Sequence, residues 1–190
     1  MVQEQSQSAR ISGLEQLIKE AAARPDAPVE RWDPPYCGDI GLAIRADGTW
    51  TYRDSPITRM PLVKLFARVL RRDADGKTFL VTPAEKIDIA VADAPFLAVE
   101  MEVKGEGRDQ QLIFRTNVDD VITAGLDHPL TFQTSEGGGL KPYVRVRGRL
   151  DALVSRSVTY DLLDLLQPGT ENPDVQGVWS DGTLFAVPQG

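Results

Sequence analysis

Residues 41–53 read Gly41-Leu42-Ala43-Ile44-Arg45-Ala46-Asp47-Gly48-Thr49-Trp50-Thr51-Tyr52-Arg53, and this stretch decides the architecture. Gly41 to Ala46 and Thr49 to Arg53 are strand-like runs, and Asp47-Gly48 between them supplies the positive φ that a tight hairpin turn requires. Just beyond, Leu62, Leu65, Phe66, Val69 and Leu70 recur at i, i+3, i+4, i+7 and i+8. That spacing predicts an amphipathic helix with Pro61 in its first turn. Lys64, Arg68, Arg71 and Arg72 fall on its other side. A second turn, Asp75-Gly76, leads into a strand over Thr78 to Val81, so the motif is hairpin, helix, hairpin.

Working outward, a shift of 100 residues superposes Gly38 on Gly138, Arg45 on Arg145 and Gly48 on Gly148. It also superposes Ser55 on Ser155, Leu62 on Leu162, and Leu65 on Leu165. Both segments run strand, glycine turn, strand, helix, and then a hairpin ending in Phe79-Leu80-Val81 or Phe185-Ala186-Val187. Between them, Leu97, Val99, Met101 and Val103 alternate with Ala98, Glu100, Glu102 and Lys104, the pattern of a half-buried strand. At the N-terminus, Ser12 and Glu15 have capping-box spacing. Leu14, Leu17, Ile18, Ala21 and Ala22 form a helical stripe that Pro25 ends. The expectation is an α+β fold with a duplicated hairpin–helix–hairpin core and two packed halves. Its parts are an N-terminal helix and proline-rich connector over residues 1–30, an α+β domain over 31–83, and a β-rich domain over 84–190.

The chain has 190 residues, 42% of them apolar and 26% charged, which is the composition of a folded globular protein. No apolar run approaches the ~20 residues that a membrane helix needs, and Met1 to Arg10 lack the apolar core of a secretory signal. A cytoplasmic location follows as the expectation. The net charge of −7 is uneven, about +1 over residues 1–83 and −8 over residues 84–190. Extended nucleic-acid binding draws on a basic field that this chain lacks, whereas a small anion held by a few arginines is compatible with it.

The groups available for chemistry are few. With one cysteine, Cys37, and one histidine, His128, there is neither an internal disulfide nor a Cys/His zinc site. Cys37 has no basic neighbour to activate it and reads as a small buried thiol; His128, before Pro129, reads as a turn imidazole. Asp73-Ala74-Asp75-Gly76 has its glycine at the wrong place for a calcium loop. Asp119-Asp120 reads as a solvated helix start. No phosphate loop or nucleophile elbow is present. No catalytic residue, metal or cofactor is predicted. Three features remain: Trp50 and Tyr52 on one strand face, Arg145, Arg147 and Arg149 on another, and the turn Ser55 to Arg59 ahead of the strong helix, where an anion could meet a helix start.

Several runs carry a family likeness: Trp32-Asp33-Pro34-Pro35-Tyr36-Cys37-Gly38, Asp47-Gly48-Thr49-Trp50-Thr51-Tyr52, Ser55-Pro56-Ile57-Thr58-Arg59, Val81-Thr82-Pro83-Ala84-Glu85-Lys86, Tyr143-Val144-Arg145-Val146-Arg147-Gly148 and Ala152-Leu153-Val154-Ser155-Arg156. They resemble the bacterial domain of unknown function 1285 family. The resemblance implies a duplicated core, a C-terminal part loosely like a pleckstrin-homology fold, a signalling role, and a nucleotide-like ligand between the two parts. It brings no catalytic residues. The expected site combines Arg45, Trp50, Tyr52 and Arg59 with Arg145, Arg147 and Arg156, because guanidinium forks suit phosphate and aromatic faces suit a base. The expected partner is a small anionic, nucleotide-like molecule, not extended nucleic acid or a membrane, with the chain a monomer or weak homodimer. A protein-interaction module and a carboxylate- and arginine-dependent hydrolase are the competing classes.

Overall fold

The hairpin at residues 41–53 is present, closed by a longer turn than its sequence suggests. In the computed structural model, which describes residues 2–21, 28–170 and 174–188 (the backbone alone for 2–10), β1 (Tyr36–Ile44) pairs antiparallel with β2 (Trp50–Tyr52), Ile44 opposite Trp50. Arg45 and Thr49 close the loop, and in it only Gly48 takes positive φ. Along β1 the residues Ile40, Leu42 and Ile44 are buried while their neighbours are not. That alternation turns one strand face to the core. A second reversal, at Arg53 and Asp54, brings β3 (Ser55–Pro56) back onto β2. Both turn residues hold left-handed φ without glycine, so composition gives no sign of this reversal.

The helix α2 (Met60–Arg68) follows with Pro61 near its start. It buries Leu62, Val63, Phe66 and Ala67, and Phe66 meets the Trp50 ring at 6.2 Å between centroids. It stops sooner than its periodicity predicts. Leu70 belongs to β4 (Leu70–Arg72), which pairs with β5 (Thr78–Val81) across the Asp75-Gly76 turn. Arg71, expected on the solvent side of a helix, is therefore a strand residue and is buried. Its guanidinium donates to Asp73 at 2.7 Å and to the backbone carbonyls of Val29 and Trp32 at 3.1 and 2.6 Å. Those bonds fasten the 3-10 turn Val29–Arg31 to the sheet.

The last strand of this sheet, β6 (Lys86–Val91), lies between β1 and β5, parallel to the first and antiparallel to the second. It places the edge of the first unit at Ala92, beyond the expected boundary at residues 83/84; the second unit begins at Asp93. The first unit is thus a six-stranded mixed sheet of order β3-β2-β1-β6-β5-β4 with α2 against it. The long helix α1 (Val2–Ala21) packs Leu14 and Ile18 toward α2. Because α1 begins at Val2, Ser12 is a mid-helix residue and not a cap. Ala22 and Pro25, expected at its end, lie outside the described residues.

The second unit holds another six-stranded mixed sheet, of order β10-β11-β12-β7-β8-β9. Its strands are β7 (Phe96–Lys104), β8 (Gln111–Thr116), β9 (Val121–Thr123), β10 (Leu130–Thr134), β11 (Leu140–Arg147) and β12 (Leu150–Val154). Helix α3 (Arg156–Leu163) follows β12. Then β13 (Gln167–Pro168), β14 (Gln176–Ser180) and β15 (Thr183–Ala186) form a separate three-stranded sheet. In β7 the buried residues are Phe96 and Ala98, the parity opposite to the expected Leu97 and Val99 face. Phe96 and Ala98 lie level with the buried Ala152 and Val154 of the neighbouring strand β12, so the two strands turn the same face to the core, and α3 packs against β7. Asp119, expected at a helix start, has left-handed φ in the β8–β9 turn. The two sheets are joined by buried polar bonds. Ser180 Oγ accepts the Leu112 amide at 3.0 Å and donates to the Ala124 carbonyl at 2.7 Å, and Gln110 Nε2 donates to the Trp179 carbonyl at 2.8 Å.

The fold is α+β and mostly β, in two units that each contain a hairpin followed by a helix. The embedding of those hairpins differs. In the first unit the leading strand, β1, adjoins the rest of the sheet; in the second it is the trailing strand, β12, parallel to β7. The closing hairpin also differs, since β4-β5 extends the large sheet whereas β14-β15 stands apart from it. Among the described residues, no helix is long and apolar enough to cross a membrane.

Candidate functional site

In the second unit, the β11–β12 hairpin and α3 enclose a groove of about 600 Å³. One wall is the edge of α3 formed by Arg156, Thr159, Tyr160 and Leu163, residues at i, i+3, i+4 and i+7 that share a helix face. The helix is held at its start by Ser155, whose carbonyl accepts both the amide and the hydroxyl of Thr159, at 2.8 and 2.9 Å. Leu140 and Lys141 of β11 and Leu153 and Val154 of β12 make the opposite wall. The β10–β11 turn, Ser135 to Gly139, closes one end. There Ser135 Oγ accepts the Gly139 amide at 3.0 Å, and Gly138 takes the positive φ.

Two of the groove's ten lining residues are cationic and none is acidic, in a unit whose sequence is strongly acidic. The two cations are not equivalent. Lys141 Nζ lies 2.6 Å from Asp93, which also accepts the Tyr143 hydroxyl at 2.7 Å. Burial by itself would raise the Asp93 pKa, but the bonds from Lys141 and Tyr143 and the lysine charge hold it below the ordinary aspartate value. Burial and the Asp93 bond push the Tyr143 phenol upward, so that hydroxyl stays protonated as a donor. Arg156 has no carboxylate partner among the described residues. Its Nε donates to the Tyr160 hydroxyl at 3.2 Å, and its guanidinium sits 5.8 Å from the centre of that ring. The groove therefore offers one guanidinium, at its rim, whose charge is not already offset.

Of the seven predicted site residues, Arg156 lines this groove. The others are engaged elsewhere within their own units. In the first unit, Arg45 reaches the Asp54 carbonyl at 3.4 Å, and the exposed Arg59 pairs with Glu15 of α1 at 3.3 Å. Trp50 and Tyr52 share one face as expected, but that face is the core: they are 1% and 6% exposed, leaving no ring surface open for stacking. In the second unit, Arg145 bonds Asp151 and the Gly148 carbonyl across its own hairpin. Arg147 bonds Asp120 at 3.3 Å and lies over the Phe96 ring. Arg149 lies past the end of β11 and so is not the third member of an arginine row.

Cys37 is exposed, contrary to the expected buried thiol, and its sulfur donates to the Pro35 carbonyl at 3.4 Å. His128 is a turn imidazole, with Nδ1 at 3.0 Å from the Arg145 carbonyl. Lys141, Tyr160 and the leucines of the groove escaped the sequence reading. Arg156 and Tyr160 at i, i+4 on a short helix, and a lysine just beyond three glycines, were the available signals.

Comparison with known proteins agrees with the resemblance drawn from the motifs. Residues 27–94 match the family described as domain of unknown function (DUF1285), N-terminal domain, and residues 95–187 match its C-terminal counterpart. No curated protein matches the chain. Among solved structures, a DUF1285 family protein from Silicibacter pomeroyi is 43% identical with a TM-score of 0.80, the match covering 85% of this chain and 86% of that one. A DUF1285 family protein from Shewanella baltica is 25% identical with a TM-score of 0.52, over 66% of this chain and 91% of that one. The fold of two six-stranded units, the motif runs and these matches together show that the chain belongs to the DUF1285 family.

Proposed function

We propose that this protein binds a small anionic molecule and serves a regulatory role, without transforming what it binds. The carrying observation is the groove of the second unit, an apolar concavity with Arg156 and Lys141 among its lining residues and no acidic group. Ligand sites are commonly built this way, apolar walls with a few converging polar groups. The set of arginines read from sequence gives way to Arg156, because Arg45, Arg59, Arg145 and Arg147 already have oxygen partners. In this reading the second unit is the sensing half, loosely pleckstrin-homology-like in its β-rich make-up, and the two six-stranded sheets, which share one strand order and one central parallel pair, are copies of one ancestral piece.

Among the described residues, no carboxylate lines the groove, which favours binding there over carboxylate-dependent hydrolysis. Glu15, Asp47, Asp73, Asp93 and Glu100 all have pKa values below the ordinary range, each bonded to a cation or an amide. A carboxyl acting as general acid near neutrality needs the opposite shift. The test is a thermal-shift screen of the full chain against nucleotides, second messengers and small organic acids. A ligand at 100 times its Kd adds about 2.7 kcal/mol, roughly 5–10 °C for a chain of this size. If no anion in the panel moves the transition, the reading is refuted.

A further inference from the structure

The groove's walls say which anion it suits. Leu140, Leu153, Val154 and Leu163 are its aliphatic lining residues, and Lys141 is already paired with Asp93. We propose, building on the ligand-binding reading above, that the groove takes an amphipathic monoanion: an alkyl or aryl body against those four side chains and one carboxylate at the Arg156 guanidinium. A guanidinium fork matches one carboxylate through two parallel N–H···O bonds. Arg156 commits its Nε to Tyr160, and its terminal nitrogens have no bond to another described residue.

A nucleotide fits this lining less well. It would bring a phosphate and a polar sugar against leucine side chains, and desolvating those groups without partners is costly. The volume of about 600 Å³ lies within the roughly 300–1,000 Å³ usual for small-molecule sites. Tyr160 is exposed, so its ring extends the apolar rim beside the guanidinium and covers the ligand where it leaves the groove.

The experiment is calorimetric titration of octanoate, 1-octanol and AMP into the full chain and into its Arg156→Gln variant, with methyl NMR shifts locating the bound molecule. Octanoate should bind wild type and perturb the methyls of Leu140, Leu153, Val154 and Leu163. Arg156→Gln should weaken octanoate at least tenfold, about 1.4 kcal/mol, and leave octanol unchanged. Because Arg156 is an exposed side chain, the variant keeps the fold, which its amide spectrum verifies. Octanoate binding equally well to the variant, or perturbing methyls elsewhere, overturns the proposal. So does AMP binding at Arg156 while octanoate does not, an outcome that leaves the broader ligand-binding reading standing. Silence from all three compounds and from the wider anion panel refutes both.

Discussion

Replacing Ser180 with alanine probes the joint between the two sheets of the second unit. Ser180 is fully buried, and its hydroxyl serves two backbone groups at once, the Leu112 amide of β8 and the Ala124 carbonyl just past β9. The substitution removes a single oxygen and almost no apolar area, so cavity formation adds little. Its cost comes from a donor and an acceptor that lose their partner away from water. Each such group costs about 1–3 kcal/mol, and the expected loss is about 2–6 kcal/mol for the pair. Urea unfolding of the full chain, followed by tryptophan fluorescence, measures it. Amide exchange then locates it, because protection at Leu112 should fall more than protection in the first unit. A loss under about 0.5 kcal/mol, the ordinary size for a surface change, with Leu112 still protected, would show that the hydroxyl is not the joint.

Arg71→Met should destabilise the first unit by about 3 kcal/mol, the lower end for breaking a buried ion pair, because Asp73 keeps Lys86 at 2.5 Å. An unchanged urea midpoint would refute the anchoring role given to Arg71. Asp73 and Asp93 both have folded pKa values below their unfolded ones, so the folded state binds fewer protons and is favoured while they are ionised. That stabilisation is complete above the unfolded aspartate value of about 3.9 and fades as pH falls through the lower folded values. Urea midpoints across the acid range should drop in wild type and flatten in the Asp73→Asn, Asp93→Asn double variant; parallel slopes would contradict it.

The elements that local chemistry dictates were legible in the sequence, and those that distant packing dictates were not. Asp47-Gly48, Asp75-Gly76 and Asp181-Gly182 all mark real reversals, because a glycine at positive φ is a local demand. On α2, Leu62 and Phe66 are buried as the spacing requires, but Val63 and Ala67 are buried with them and Leu65 is only half-buried. The end of α2 does not follow from spacing. Leu70 continues the helical period yet pairs with Leu80 in β4, since hydrogen bonds to a strand ten residues on outweigh one further helical turn. In β7 the apolar alternation points to Leu97 and Val99, but the buried residues are Phe96 and Ala98, level with the buried Ala152 and Val154 of β12, a strand more than fifty residues on. The site was hardest to read. Trp50 and Tyr52 look like stacking platforms in sequence, whereas the groove residues come from three separate elements whose meeting only the tertiary fold decides.

Each sheet is sewn shut by one parallel seam, β1 to β6 in the first unit and β7 to β12 in the second. These seams join Tyr36 to Lys86 and Phe96 to Ala152, so neither can form until most of its unit has left the ribosome. Non-local closure of this kind slows folding. Until β6 emerges, β1 presents an open edge on which other chains can pair. The first unit can close its sheet only once Val91 has emerged from the ribosome, one residue short of the junction at which the second unit begins.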